Sequence, residues 1–560
     1  MSARTHPLSL GQRSMWNLDR LSDGGPVHTL AWRVPLHGAL DESAMRDAFA
    51  AVTARHEPLR TWFTEDDGGP VAIVEDTVEV PLPVDDLRQL PAAERAEEAA
   101  RRCVDDVGVG FALGRAPLLR VRLLRLDEDR HDLLIVVHHI VFDGMSFDLL
   151  LDDLGKAYGK GELGALDVRY ADAVAEEREL LTGPRRTAPA VFWRERLAGA
   201  PPVLLPPPDR EPGGERSWVS RVHTQALPGA AVREFARRER CTPYVVYLAV
   251  LNVLLSRLTG SSDIVVGTPV SGRHRSAFEQ LVGYFVNTVV VRNEVGGQSF
   301  RDLVREVRGA VFDALDHQRL PFEAVVEEVR PSRTSGYSPL FQVLFSQVDA
   351  TRPRDDGFVG LSVGAIEPVD NGRSPFPLTF SVLDGAELLL EYAPALYDET
   401  TAERMAEQFA TLLSAALAAP ETAVGELAAF VPAPAPVAPD SPTVAAAPGQ
   451  GDDVVVRAVR AVWSAHLHTE VTDPDADFVG LGGHSLVAAR IAIELRELFG
   501  LESGLTEHTV FLAPTPRLLA GHLAAALGGW ATAAAEAEFV LRLLTMTDEQ
   551  AEEQLAREEP

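Results

Sequence analysis

The sequence predicts an α/β fold followed by a small all-α unit. Three observations point there. Short apolar runs rich in β-branched residues alternate with helix-length amphipathic or apolar stretches up to about residue 430. A Pro/Ala-rich stretch, VPAPAPVAPDSPTVAAAPGQGDD, then interrupts every apolar period over residues 431–453. Beyond it only helical periodicity returns. At about 150 residues per domain, 560 residues suggest three to four folding units.

The elements follow in chain order. VRLLRL at 121–126 and LLIVVHH at 133–139 read as neighbouring strands, with the polar stretch Asp127 to Asp132 as their turn. Residues 146–157 carry an amphipathic helical pattern. APPVLLPPPDREPGGER at 200–216 suggests a crossing between two lobes, and the division is expected as 1–180 and 181–430. TPYVVYLAVLNVLLSRL at 242–258 is long enough for a buried helix, with Pro243 in the first turn, where proline is tolerated. SDIVVGTPV at 262–270 reads as a strand. The linker 431–452 is semi-extended. Helices are expected at 453–467, 485–499 and 515–527, giving a small bundle over 453–528 and a helical tail over 529–560.

Composition excludes several classes. Apolar residues make up 46% and charged residues 24%, as in ordinary globular chains. Acidic residues number 82 against 52 basic ones, for a formal charge of -30. That balance argues against nucleic acid and against an anionic membrane surface as partners. The two cysteines, Cys103 and Cys241, offer neither metal-ligand spacing nor a disulfide framework, so no metal is expected. The N-terminus lacks an apolar signal region, and no apolar run reaches the roughly 20 residues of a membrane span. A cytoplasmic chain is the expectation.

The first chemical constellation is VVHHIVFDGMS. Alternation along a strand sends His138 and His139 to opposite faces, so only one can face a given cavity. Asp143 sits past a turn, with Gly144 permitting an unusual backbone angle. Histidine suits proton transfer near neutral pH. On the dipeptide alone, two satisfied core or surface histidines are the favoured account.

The pattern His-His-x-x-x-Asp-Gly resembles the signature of nonribosomal peptide synthetase condensation domains and related acyltransferases of the chloramphenicol acetyltransferase superfamily. Further segments follow in family order: LSLGQRSMWNL at 8–18, RHEPLRTWF at 55–63, FALGRAPLLR at 111–120, VGYFVNT at 282–288, HQRLPFE at 317–323 and SPLFQVLF at 338–345. The resemblance implies two chloramphenicol-acetyltransferase-like lobes in a V-shaped pseudodimer with a central tunnel. It implies that His139 is the catalytic histidine, as base or positioning group, and that His138 is structural. It makes Asp143 half of a structural ion pair, with Arg60 as the expected partner and Arg55 as the weaker choice. Gly144 would lie beside the tunnel. Asn287 is open between a structural amide and a substrate contact. The chain carries Met145 where many relatives have tryptophan, and Phe142 where a small polar residue is common; both would adjoin the tunnel.

The second constellation is DADFVGLGGHSLVAARI at 475–491. A Gly-Gly turn feeds Ser485 at the start of a helix, whose N-terminus suits a phosphate, although a plain N-cap serine fits as well. A G-x-S-x-G nucleophile elbow fails because its last position is Val487 and no strand precedes it. The run LGGHSL, after Asp477-Phe478, resembles the signature of peptidyl carrier proteins. That resemblance makes Ser485 the attachment point of 4'-phosphopantetheine, with His484 a surface residue. In the tail, Thr547 and Gln550 have capping-box spacing, and the last 13 residues hold six acids and one base, Arg557. A solvated end and a docking element for a partner both fit.

Condensation followed directly by carrier, with no adenylation domain, implies loading by a separate adenylation enzyme or other loader in trans. An upstream donor carrier protein and a phosphopantetheinyl transferase are the further partners implied. The expected activity is amide- or ester-bond formation in natural-product, antibiotic-type assembly. An epimerisation-type domain and a non-catalytic recruitment platform are the competing readings.

Overall fold

A computed structural model describes residues 4–21, 25–66, 69–210, 217–331, 338–348, 358–427, 453–467, 469–476, 478, 481, 485–501, 505, 509–510, 513 and 515–543. The chain divides into two compact units, with described residues before Ala433 in the first and after Pro434 in the second.

The first half of the first unit is built on β1 (Arg4–Pro7), β2 (Thr29–His37), β3 (Thr61–Asp66), β4 (Gly69–Val74), β5 (Val84–Asp86), β6 (Leu119–Arg125) and β7 (Arg130–His138). β7 is the central strand. It lies antiparallel between β2 and β6, and from His131 onward every residue is buried. That is why RHDLLIVVH reads as a continuous apolar run rather than an alternation: both faces of the strand are covered. β2, further from the centre, keeps an alternating pattern. The expected hairpin therefore forms, with Leu119 opposite Val137 and Arg125 opposite His131.

The second half carries β8 (Arg221–Ala226), β9 (Asp263–Val270), β10 (Asn287–Glu294), β11 (Val343–Val348), β12 (Ser362–Val363), β13 (Glu367–Pro368), β14 (Leu378–Leu383) and β15 (Glu387–Tyr392). Its sheet runs β10-β9-β11-β14-β15-β8, with β9, β11 and β14 parallel and the outer pairings antiparallel. The helix Pro243–Thr259 packs its apolar sequence into this half and is buried from Val245 through Leu255. Pro243 opens it, and Gly260 closes it at φ +73°, a left-handed cap that only glycine adopts without cost.

A division at residue 180 assigns all later chain to the second lobe, and here the structure differs. β12 and β13 pair antiparallel with β2, placing Glu367 against Arg33 and Val363 against Leu36. Just beyond, the Asn371 side chain donates to the carbonyls of Pro26 and Thr29 at 3.0 and 2.7 Å. Later chain thus completes the earlier sheet. Strands of two residues carry no periodicity, so no sequence pattern marks them.

The second unit is helical: Asp453–Leu467, Ser485–Leu498, Pro516–Ala526 and Trp530–Leu543. Its core holds Trp463 against Phe478, ring centroids 5.0 Å apart, with Leu495, Leu519 and Leu523. Residues 529–560 were expected as a tail. Instead Ala533, Ala537 and Val540 are fully buried in that same core, so the unit extends past residue 528. Alanines one turn apart let the helix approach closely. Thr547 and Gln550 lie outside the described residues. Among the described residues, no single helix is long and apolar enough to cross a membrane.

Candidate active site

At the end of β7 the chain leaves the sheet through a tight helical turn, His139–Val141, and enters the helix Gly144–Tyr158. The two histidines diverge as strand alternation requires. His138 turns into the first lobe, 99% buried, with its Nε2 3.3 Å from Asp19 Oδ1. His139 turns the other way, edge-on to the Tyr284 ring at 5.1 Å. Unlike His138, it is only half-buried.

His139 Nδ1 lies 2.5 Å from the Phe142 carbonyl oxygen, an acceptor only. Nδ1 therefore carries the proton and donates it, and Nε2 keeps a free lone pair. Burial lowers the His139 pKa below its ordinary value of 6.5, against the opposing pull of the Phe142 carbonyl and Asp143. The imidazole is therefore neutral at pH 7. The acid limb of the pH–rate profile is expected to titrate below 6.5; a limb above 7 contradicts this assignment.

Asp143 caps the following helix. Its Oδ1 accepts from the Ser146 backbone N–H at 2.9 Å and from the Ser146 hydroxyl at 2.8 Å. Its Oδ2 accepts from the Phe285 N–H at 3.1 Å and from the Arg273 guanidinium. Both side chains of that ion pair are 1% exposed. Arg273, not Arg60, is thus the partner of Asp143. Arg60 ends a helical turn at Glu57–Arg60 and donates to the Glu75 carbonyl, while Arg55 pairs with Asp153 at 2.9 Å. Arg273 follows β9 in SGRHR, beside Gly272 at φ +64°, in no motif of the kind that marked the histidines. The pair joins the two lobes, and the resemblance of RHEPLR to a family motif was no guide to it.

The VGYF segment is laced to the first lobe throughout. Gly283 N–H donates to Ser146 Oγ at 3.0 Å and Val282 N–H to His56 Nδ1 at 3.5 Å, while the Tyr170 hydroxyl donates to the Tyr284 carbonyl at 2.6 Å. A Cβ on Gly283 would stand 2.5 Å from the Tyr170 ring, which accounts for the glycine. Asn287 is a structural amide. Its Nδ2 donates to the Gln318 and Leu320 carbonyls at 2.7 and 2.9 Å, and its Oδ1 accepts from Phe322 N–H at 2.9 Å, so it clamps the HQRLPFE turn.

Gly144 faces open space: an added Cβ would meet nothing within 4 Å. Met145 is 44% exposed. Phe142, expected beside the tunnel, is instead fully buried against Trp32, ring centroids 5.9 Å apart. An aromatic at that position fills the core under the turn.

Sequence reasoning missed Glu177. Its Oε1 accepts from the Leu10 N–H at 2.7 Å, and burial pushes its pKa up to about 7 from 4.5, with Glu323 adding to the shift. A carboxyl raised in the folded state favours folding at low pH and loses that advantage as pH climbs from 4.5 towards 7. Glu177→Gln keeps the acceptor and removes the charge. It is expected to abolish that slope and to stabilise the protein above pH 8 by about 1–3 kcal/mol, read as a higher Tm. An unchanged melting profile across pH 5–8 counts against it.

Ser485 is the first residue of the helix Ser485–Leu498, so the chain enters there at the positive end of a helix dipole, a fitting seat for an attached phosphate. Asp477 and His484 lie outside the described residues.

Family models match in two places. The condensation-domain model covers residues 2–433 and the phosphopantetheine attachment site model covers 457–523. One of the proteins that make up the linear gramicidin synthase of Brevibacillus parabrevis is 37% identical over 426 residues, 73% of this chain and 5% of its own length. Phosphinothricin tripeptide synthetase PhsC of Streptomyces viridochromogenes is 37% identical over 427 residues, 74% of this chain and 39% of its own. The X-domain from teicoplanin biosynthesis superposes with a TM-score of 0.67 at 27% identity, covering 76% of this chain and 97% of that one. The chain spans well under half the length of the two curated relatives.

Proposed function

We infer that this chain, which belongs to the condensation-domain family and carries a phosphopantetheine attachment domain behind it, joins a carrier-bound acyl or peptidyl thioester to an amine (or hydroxyl) acceptor. The observation that carries the reading is the contact of His139 Nδ1 with the Phe142 carbonyl oxygen at 2.5 Å, from which the Nδ1–H tautomer follows and which leaves Nε2 as the acceptor.

The chemistry balances on that atom. The acceptor nitrogen attacks the thioester carbonyl carbon, and its proton passes to His139 Nε2. The C–S bond breaks, and the departing thiolate takes the proton back. General-base assistance of this kind contributes about 10² to 10⁴-fold, and holding two tethered reactants in attack geometry about 7–11 kcal/mol. Asp143 and Arg273 contribute by holding the lobes, and hence the VGYF segment, against the turn that carries His139. When attached to Ser485, 4'-phosphopantetheine supplies the thiol that tethers the acceptor or product as a thioester. Ser485 offers the hydroxyl for that attachment, at the head of its helix.

The matched segments 2–433 and 457–523 follow one another with only the linker between them. An upstream donor carrier and a phosphopantetheinyl transferase fit this arrangement, and an adenylation enzyme acting in trans is the loader we favour. The test combines the transferase, a loaded donor carrier and an aminoacyl acceptor, and follows products by mass spectrometry. Ser485→Ala is expected to abolish the mass gain from the transferase completely, with the condensation unit still folded. A mass gain retained in that variant overturns the attachment site.

A further inference from the structure

Asp19, His28 and His138 each offer a ligand atom within 4.8 Å of the others, all three buried. The hydrogen bonds argue against a metal there. His138 Nδ1 accepts the Ile140 backbone N–H at 3.1 Å, so it carries no proton. The proton of the neutral ring is then on Nε2, which faces Asp19 Oδ1 at 3.3 Å and donates to it. An Nε2–H has no lone pair for a cation. Phe111 meets the ring edge-on at 6.0 Å and holds its plane.

This ring fixes one side of the turn that carries His139. Ile140, in the middle of the turn, gives its N–H to His138 Nδ1, and its carbonyl accepts from Gln12 Nε2 at 2.9 Å. Gln12 is itself locked: its N–H donates to Ser9 Oγ at 3.1 Å, and its Oε1 accepts from the Ser9 N–H at 3.2 Å. Both residues are buried. The turn closes with Phe142 N–H on the His139 carbonyl at 3.0 Å, and that geometry aims the Phe142 carbonyl at His139 Nδ1.

We propose that Asp19 and Gln12 are positioning residues for the reaction: Asp19 selects the Nε2–H tautomer of His138, His138 and Gln12 together grip Ile140, and the gripped turn sets the orientation and tautomer of His139. The proposal rests on His139 as proton acceptor. It gives the first histidine of the pair a defined task, that of a hydrogen-bond acceptor for a backbone N–H. It also explains why a glutamine far away in sequence belongs to the same machinery. A displacement of reacting groups by about 1 Å costs roughly a hundredfold in rate, so a loosened turn is a kinetic defect before it is a folding one.

The test uses the full chain, loaded at Ser485, with the donor carrier titrated from well below to above saturation. Asp19→Ala is expected to lower kcat by roughly ten- to a hundredfold with KM for the donor carrier within about twofold. Asp19→Asn keeps a carbonyl oxygen to accept the Nε2–H and is expected to retain most of kcat. At position 138, His138→Asn leaves an oxygen where Nδ1 stood and is expected to exceed His138→Gln in kcat. In the His138→Asn background, Asp19→Ala is expected to add no further loss, because its effect runs through the ring that is gone. The proposal fails if Asp19→Ala leaves kcat within twofold of the parent. It fails equally if the loss falls on KM, or if the two substitutions multiply. His139→Ala, measured alongside, separates this failure from that of the catalytic reading. Full activity in His139→Ala sinks the base, whereas a dead His139→Ala beside an unaffected Asp19→Ala sinks only the positioning role.

Discussion

Asp143→Ala is expected to destabilise the condensation unit by about 3–5 kcal/mol, the cost of leaving a buried charge without its partner. The charge left behind is Arg273, whose side chain is 1% exposed. Loss of the carboxylate also strips Ser146 of its cap acceptor and the Phe285 N–H of its bond. The cap, the ion pair and the one bond that ties the end of VGYF to Asp143 then fail together. Arg273→Ala is expected to cost a similar amount, since it leaves the carboxylate in place and unpaired. Removing both charges, as Asp143→Ala with Arg273→Met, is expected to recover part of the loss, because an apolar pair avoids the desolvation penalty. Arg60→Ala leaves the Asp143 network intact and is expected not to couple to Asp143→Ala. Denaturant melts of the three single variants, and of Asp143→Ala combined with each arginine substitution, check this. Equal, additive losses for Arg60 and Arg273 contradict the pairing.

His139→Ala is expected to lower the rate of bond formation by about 10² to 10⁴-fold while Tm shifts little. The ring is partly accessible, and among the described residues its hydrogen-bond partner is the Phe142 carbonyl. The stability cost is therefore confined to that partner and an edge contact with Tyr284. Loading of Ser485 is expected to proceed normally, since that serine belongs to the other unit. Product followed by mass spectrometry, with loading measured on the same sample, decides it. Product formed at the parental rate removes His139 from the chemistry.

What could be read in advance divides along physical lines. The hairpin β6–β7, the helix Gly144–Tyr158 and the helix Pro243–Thr259 were legible because burial on one or both faces writes itself as periodicity or as an unbroken apolar run. The placement of His138, His139 and Asp143 around one turn was legible for the same reason, since a strand end followed by Asp-Gly leaves few geometries. Arg273 was not legible. It meets Asp143 across 130 residues of chain, and nothing local in SGRHR distinguishes it from the other arginines. Glu177 was missed because a carboxylate becomes unusual only through burial, which sequence does not display. β12 and β13 were missed because two residues make no pattern. Phe142 was misplaced because the matching family position commonly holds a small polar residue, whereas an aromatic ring there turns into the core against Trp32.

The helix Trp530–Leu543 bears on how such proteins can be cut and recombined. A graft ended at residue 523, where recognisable carrier sequence stops, or at 528, where periodicity first suggests an end, would discard Ala533, Ala537 and Val540 and leave their apolar seats on the remaining helices open to water. The folded unit is thus longer than its signature and takes in the helix Trp530–Leu543.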